Sequence, residues 1–176
     1  MKKVMKKALF ILRAQPFHLG HLHAIKDTSE KFDKVIIGIG SSQEKNTWEN
    51  PFSLKERKLM IKSCLKKLKN YKKFKLISIP DFPDDKEWVN YCLKKVEFDV
   101  VISGSKWVKE CFKGVKKVLE PNFFKPRKYK ASRIRKLMAL GKKWEDLVPP
   151  EVVKIIKRID GEKRVKRIYQ HLSLSR

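Results

Sequence analysis

Arg13-Ala-Gln-Pro-Phe-His-Leu-Gly-His21 gathers a guanidinium, two imidazoles, a proline and a glycine within nine residues. Pro16 stiffens a turn, and Gly20 permits close backbone approach. A helix starting here would direct its positive N-terminus at the same point. His18 and His21 stand three apart, so at a helix start they share one face. Two imidazoles placed there are poor metal ligands and good donors to phosphoryl oxygens. A zinc site built from His18, His21, His23 and a cysteine has no recognised ligand spacing. The bland alternative is that these histidines cap and pack.

The chemistry depends on what precedes and follows the string. Ala8-Leu-Phe-Ile-Leu12 is a short apolar run, so the string falls directly after a strand. Similar runs occur at Lys34–Gly40, Lys75–Ile79 and Phe98–Ser103. Runs apolar throughout indicate strands buried on both faces, hence a parallel sheet. Between them, helical patterns cover Gly20–Lys31, Leu54–Leu68 and Lys86–Lys95, with Ser53-Leu-Lys-Glu56 as a capping box for the second. Successive βαβ units follow, giving a three-layer, Rossmann-like α/β fold with ligands beyond the carboxyl ends of the strands. A helix is expected over Lys106–Val118, with Val115–Leu119 competing as a short fifth strand. Further helices are expected over Ser132–Leu140, ended by Gly141, from the Pro149-Pro150 pair to Ile159, and over Glu162–Leu172. The reading is one domain: a core over residues 1–130 and a helical C-terminal extension over 131–176.

The 176 residues are 41% hydrophobic, enough for a core, and carry a net charge of +25. The surplus is spread along the chain and is densest between residues 101 and 150, where 14 basic residues face 4 acidic ones. Lys-rich solvated helix faces explain such a spread, as do weak nucleic-acid binding or attraction of small anions. No apolar stretch approaches the roughly 20 residues of a membrane span. The basic start Met1 to Lys7 imitates a secretory signal, but the apolar run stops at Arg13 and no small-residue cleavage site follows. Cys64, Cys92 and Cys111 form no close pair, so a reducing cytoplasm is expected.

The Gln-Pro-Phe-His-x-Gly-His string resembles the nucleotidyltransferase superfamily with its (H/T)xGH signature, and the longer match is to archaeal-type nicotinamide mononucleotide (NMN) adenylyltransferases. Ile37-Gly-Ile-Gly-Ser-Ser-Gln-Glu44, Glu49-Asn-Pro-Phe52, the Glu56-Arg57 pair and Phe98 to Gly104 are similar to that family's segments in the same order. So are Tyr129 to Met138 and Lys143 to Pro149. The resemblance implies that the phosphate of NMN attacks the α-phosphorus of ATP in line, giving NAD and diphosphate, with no protein nucleophile. It implies that His18 and His21 contact the triphosphate, with His21 nearest the α-phosphoryl group. Arg13 would hold phosphate near the mononucleotide, and Ser132 and Arg135 would cradle the β- and γ-phosphates. Gln15, Phe17 and Gly20 of the string, Ser103 and Gly104 of the Ser-Gly turn, and Ile134 of the last block carry over as nucleotide-binding positions. Trp88 would lie against the nicotinamide ring; otherwise it packs on the sheet. Mg²⁺ would bridge ATP phosphates, because no carboxylate cage is evident in the sequence. Family members often form homo-oligomers, and that too is implied.

Several positions depart from the family pattern. Leu12 stands in place of a Gly and Ala14 in place of an aromatic or Met. Asn46 replaces a common His, Ser105 an Asn, Lys106 a Pro, and Lys130-Ala-Ser-Arg133 replaces Ser-Gly-Thr-Glu. Asp84 and Asp85 align loosely with family carboxylates. Two alternatives stay open: another acceptor, such as nicotinate mononucleotide, flavin mononucleotide or phosphopantetheine, and a basic nucleic-acid-binding protein on the same fold. The second would need a stacking platform, for which Phe123-Phe-Lys-Pro-Arg-Lys-Tyr129 is a weak candidate.

Overall fold

The computed structural model describes residues 6–174, so most of the basic start read against a secretory signal, Met1 to Met5, lies outside the described residues. Strand β1 spans Lys7–Leu12, and its alternate residues point to opposite faces, as pleating requires. Ala8, Phe10 and Leu12 join one apolar core, while Leu9 joins another. A strand buried on both sides therefore needs the unbroken apolar run seen in the sequence. Strands β2 (Lys34–Ile39), β3 (Phe74–Ser78), β4 (Val100–Ile102) and β5 (Lys117–Leu119) complete a sheet of order β3-β2-β1-β4-β5. All four pairings are parallel. The order reverses between β1 and β4, and a crevice opens beyond their carboxyl ends.

Helices α1 (Leu19–Lys31) and α2 (Leu54–Leu65) cover the first face, and α3 (Asp85–Lys95) and α4 (Lys106–Cys111) cover the second. The predicted capping box at Ser53 is present: its hydroxyl accepts from the Glu56 amide, and the Glu56 carboxylate accepts from the Ser53 amide at 2.8 Å. The helix expected over 106–118 is shorter than the pattern indicated. It stops at Cys111, and Gly114, at φ +76°, turns the chain into the fifth strand. Of the two competing readings for that stretch, the strand is the correct one.

The last third is helical: α5 (Ala131–Ala139), α6 (Pro150–Arg158) and α7 (Gly161–Leu174). Ile134, Met138, Ile156 and Val165 from these helices enter the same core as β1 and α2. Burying each such side chain is worth roughly 1.5–3 kcal/mol, so the extension is held to the core by its apolar faces. No described helix is long and apolar enough to cross a membrane.

Candidate active site

The predicted phosphate turn leaves β1 at Leu12. Leu12 itself keeps strand geometry, paired in register with Ile39, so its backbone does not require a glycine there. The left-handed residue is Ala14, at φ 55°, and the next peptide but one, Gln15–Pro16, is cis. His18 then caps α1. Its Nδ1 accepts from the His21 amide at 3.2 Å, and the Nδ1 of His21 accepts from the His18 amide at 3.4 Å. The rings stack at 3.5 Å between centroids, and Phe17 backs His21 at 5.6 Å. Because both Nδ1 atoms accept, a neutral ring carries its proton on Nε2. Burial drives the His18 pKa down to about 3, and burial together with His18 pushes His21 well below the usual histidine range. Both imidazoles are therefore neutral single donors at physiological pH.

These rings line a cavity of about 640 Å³ beyond the ends of β1 and β4. Arg13, Glu49, Arg127, Lys130 and Arg135 also face it, so four cations meet one carboxylate. Arg135 is 7% exposed, donates from Nη1 to the Gln15 carbonyl at 2.8 Å, and lies 5.4 Å from the Trp48 ring centre. Its Nε is buried without a partner, and burial together with Arg13 lowers its pKa to about 10, still cationic at neutral pH. Helix α5 begins at the same wall. Lys130 at its N-cap supplies no side-chain cap and no acidic residue occupies its first turn. Lys130 and Ala131 line the cavity, so the start of a helix whose first-turn amides have no side-chain cap lies at its wall, an arrangement suited to anions.

Arg13 is exposed and also lines a second cavity of about 330 Å³, together with Gly40, Asp81, Trp88, Ser103, Ser105 and Trp107. The two cavities share Ile11, Leu12, Arg13, Ser103 and Ser105 in their linings, and Arg13 is the charged residue of that set. The bend that presents it is held from behind by Arg57, which is fully buried. Its Nη1 donates to the carbonyls of Arg13 (2.9 Å) and Gly40 (2.8 Å), and Nη2 to that of Ser41 (2.9 Å). Burial lowers the Arg57 pKa to about 10. The sequence marked Arg57 only as half of a Glu-Arg pair; nothing local shows that it ties the ends of β1 and β2 together. Glu49 was likewise missed as a cavity residue.

The remaining expected positions divide. Ser103 and Gly104 line the larger cavity, and Gly104 leaves room for the Phe123 ring, whose Cε2 would sit 2.7 Å from an added Cβ. Gly20 serves a similar close approach, but to Tyr129, whose Cβ would be 2.9 Å away. Gln15 lines the cavity while its amide is committed to Phe52, donating to the carbonyl at 2.8 Å and accepting from the amide at 2.9 Å. Phe17 and Ile134 are fully buried supports. Ser132 is half-buried and stands outside the cavity lining, which Lys130, Ala131 and Arg135 provide instead. Trp88 borders the second cavity but is 2% exposed, packed against Trp107 at 4.6 Å and Phe112 at 5.6 Å. Asp84 caps α3, and Asp85 accepts from the Trp107 indole, so neither lines the cavity. The Asn-to-Ser change at 105 keeps a cap, since Ser105 Oγ accepts from the Val108 amide at 3.4 Å. Phe123 and Phe124 are 37% and 43% exposed; Phe123 and Tyr129 line the larger cavity, and Phe124 stacks on Tyr129 at 5.9 Å.

Among the described residues no group of three or more His, Cys, Asp or Glu side chains could hold a metal ion.

The fold, the parallel-sheet crevice and the cation-lined histidine turn define a nucleotidyltransferase-type protein, and the chain belongs to the cytidylyltransferase-like family, whose sequence profile matches residues 10–165. It is similar to the nicotinamide-nucleotide adenylyltransferase of Methanococcus aeolicus, with 41% identity over 92% of this chain and 94% of that one. The enzyme of the same name from Pyrococcus furiosus is 39% identical over 97% and 93%. Among solved structures, a bifunctional NMN adenylyltransferase/ADP ribose pyrophosphatase from Francisella tularensis, complexed with AMP and a manganese ion, superposes with a TM-score of 0.76 at 23% identity. The chain covers 56% of that longer protein, so this likeness speaks for the fold.

Proposed function

We propose that the chain is a nicotinamide-nucleotide adenylyltransferase, joining NMN and ATP to give NAD and diphosphate. One observation carries the reading: Arg13 lines two neighbouring cavities, the larger of which is also lined by a pair of neutral imidazoles with Nε2–H groups to donate. The larger cavity takes ATP as its magnesium complex. Arg135, Lys130 and the amides of α5 hold the β- and γ-phosphates, and His18 and His21 donate to the triphosphate. The smaller cavity takes NMN, with its phosphate at Arg13. An NMN phosphate oxygen forms a bond to the α-phosphorus as the bond to the bridging β-oxygen breaks, and diphosphate leaves with that electron pair. Charge builds on the non-bridging and leaving oxygens, where donors already in place need no reorganisation. The nearly full-length similarity to curated enzymes of this name supports the substrate assignment. The three unpaired cysteines support a cytoplasmic location, and the family likeness supports a homo-oligomer.

The test is a panel of acceptors with ATP and Mg²⁺, following diphosphate release and identifying the dinucleotide. NAD from NMN is the expected product. Diphosphate release only with flavin mononucleotide or phosphopantetheine would replace the reading.

A further inference from the structure

We infer that a lysine-walled groove at the amino-terminal end of the sheet, opposite the two cavities, is a separate anion site that takes a chain of two or three phosphates, free or as the tail of a nucleotide.

The groove follows from strand parity. Side chains alternate between the faces of a strand, so Lys7 shares a face with Leu9, Lys34 with Ile36 and Lys75 with Ile77. Leu9, Ile36 and Ile77 belong to the core on the second face of the sheet. Lys7 pairs in register with Lys34, and Ile36 with Lys75. Three lysines therefore stand together on that face, where the parallel strands begin. With Lys72, Lys73 and Glu97 they wall a cavity of about 330 Å³, lined otherwise by the apolar Ile36, Phe74 and Val96. Arg13 follows the far end of β1, roughly 20 Å away by the rise of a strand, so this groove belongs to neither cavity described above.

Five ammonium groups meet one carboxylate in this lining, a surplus of four. Glu97 is committed to Lys7. Lys73 donates to the carbonyls of Ser29 at 2.9 Å and Phe32 at 3.2 Å, which fixes it at the wall. Lys34, Lys72 and Lys75 form no ion pair among the described residues. Asp33 and Asp99 accept from the backbone amides of Lys6 and Lys7 and stand outside the lining. The carboxyl end of α3, capped by Val96, adds about half a negative charge, too little to balance the groove. Lysines also guard edge strands against pairing, which accounts for Lys72, Lys73 and Lys75 at the edge strand β3. It does not account for Lys7 and Lys34, because β1 and β2 are interior and like charges side by side repel. An oligophosphate answers all of these charges at once, and the apolar floor can seat a sugar or base.

The experiment titrates inorganic triphosphate, and separately ATP, into the full chain by calorimetry at one fixed ionic strength, since salt screens such contacts. The variants are Lys34→Gln/Lys75→Gln, Lys34→Arg/Lys75→Arg, and a control, Lys142→Gln/Lys166→Gln, which removes two exposed lysines outside the groove. Far-UV circular dichroism checks that each is folded. The glutamine pair in the groove should lose one triphosphate equivalent, or bind it about tenfold or more weakly, while the arginine pair and the control retain it. Tighter binding of ATP than of triphosphate at that equivalent identifies a nucleotide as the ligand, and equal binding identifies the phosphate chain alone. Identical titrations for the unaltered chain and the glutamine pair in the groove, or equal losses in that pair and the control, overturn the inference. The readout is a difference of one equivalent, so it holds whether or not the larger cavity also takes triphosphate.

Discussion

The imidazoles of His18 and His21 lie face to face, 18° from parallel, each accepting the other's backbone amide. Two imidazolium rings could not share this arrangement, because each would lose its acceptor and face a like charge. The pair is thus fixed as two donors without adding positive charge. His21→Ala removes the donor assigned to the reacting phosphoryl group and should lower kcat by roughly 10²–10³, the scale for one transition-state donor. Steady-state kinetics check this, and turnover close to that of the unaltered chain would refute the assignment.

The same neutrality makes stability depend on pH. The folded-state pKa of His18 is lowered, to about 3 against an ordinary value of 6.5. Its contribution is whole above pH 6.5 and is lost as pH falls from 6.5 towards 3, because only the unfolded chain takes up the proton. The slope is about 1.4 kcal/mol per pH unit for each such group. Urea unfolding at pH 7, 6, 5 and 4 should show falling stability. His18→Asn, which keeps a capping acceptor but does not titrate, should fall less steeply; parallel curves for the two proteins would contradict the account.

Arg57→Met leaves the carbonyls of Arg13, Gly40 and Ser41 without their donor. The expected loss is about 3 kcal/mol or more, since unsatisfied buried polar groups bear their full desolvation cost. Because the clamp aims Arg13, kcat/KM for the acceptor should fall even well below the melting temperature. Reduced stability with unchanged kcat/KM at low temperature would restrict Arg57 to a purely structural role.

Gly20→Ala tests the approach of α1 to Tyr129. Alanine is the better helix former by about 1 kcal/mol, so propensity alone predicts a gain. The added Cβ would instead stand 2.9 Å from the Tyr129 Cβ and push the cavity rim outward. KM for ATP should rise several-fold, measured at saturating acceptor; an unchanged KM would show that the rim yields freely.

Elements were legible where their causes are local. The unbroken apolar runs of β1 and β2 already require burial on both faces, and Ser53 with Glu56 starts α2 by itself. The stretch from Lys106 was ambiguous because a short strand and the end of a helix share one apolar pattern. Gly114 and pairing with β4 decided it. At the site, the HxGH turn was legible, but Ser132 was named where Lys130 and Ala131 line the wall, and Trp88 was named where Trp107 is the exposed ring. In both cases the named residue and the cavity-lining one belong to neighbouring or facing stretches. Which side chain faces the cavity depends on how a helix is rotated against its neighbours.

The sequence by itself determined the parallel sheet and the histidine pair, because apolar runs and an i, i+3 spacing at a helix start act over a few residues. The tertiary structure alone decided which charges meet. Arg135 reaches the carbonyl of Gln15 across 120 positions, and Arg57 gathers carbonyls from two strand ends. It also decided that both imidazoles stay neutral. Desolvation is a property of everything packed around a group, and only the assembled chain supplies those surroundings.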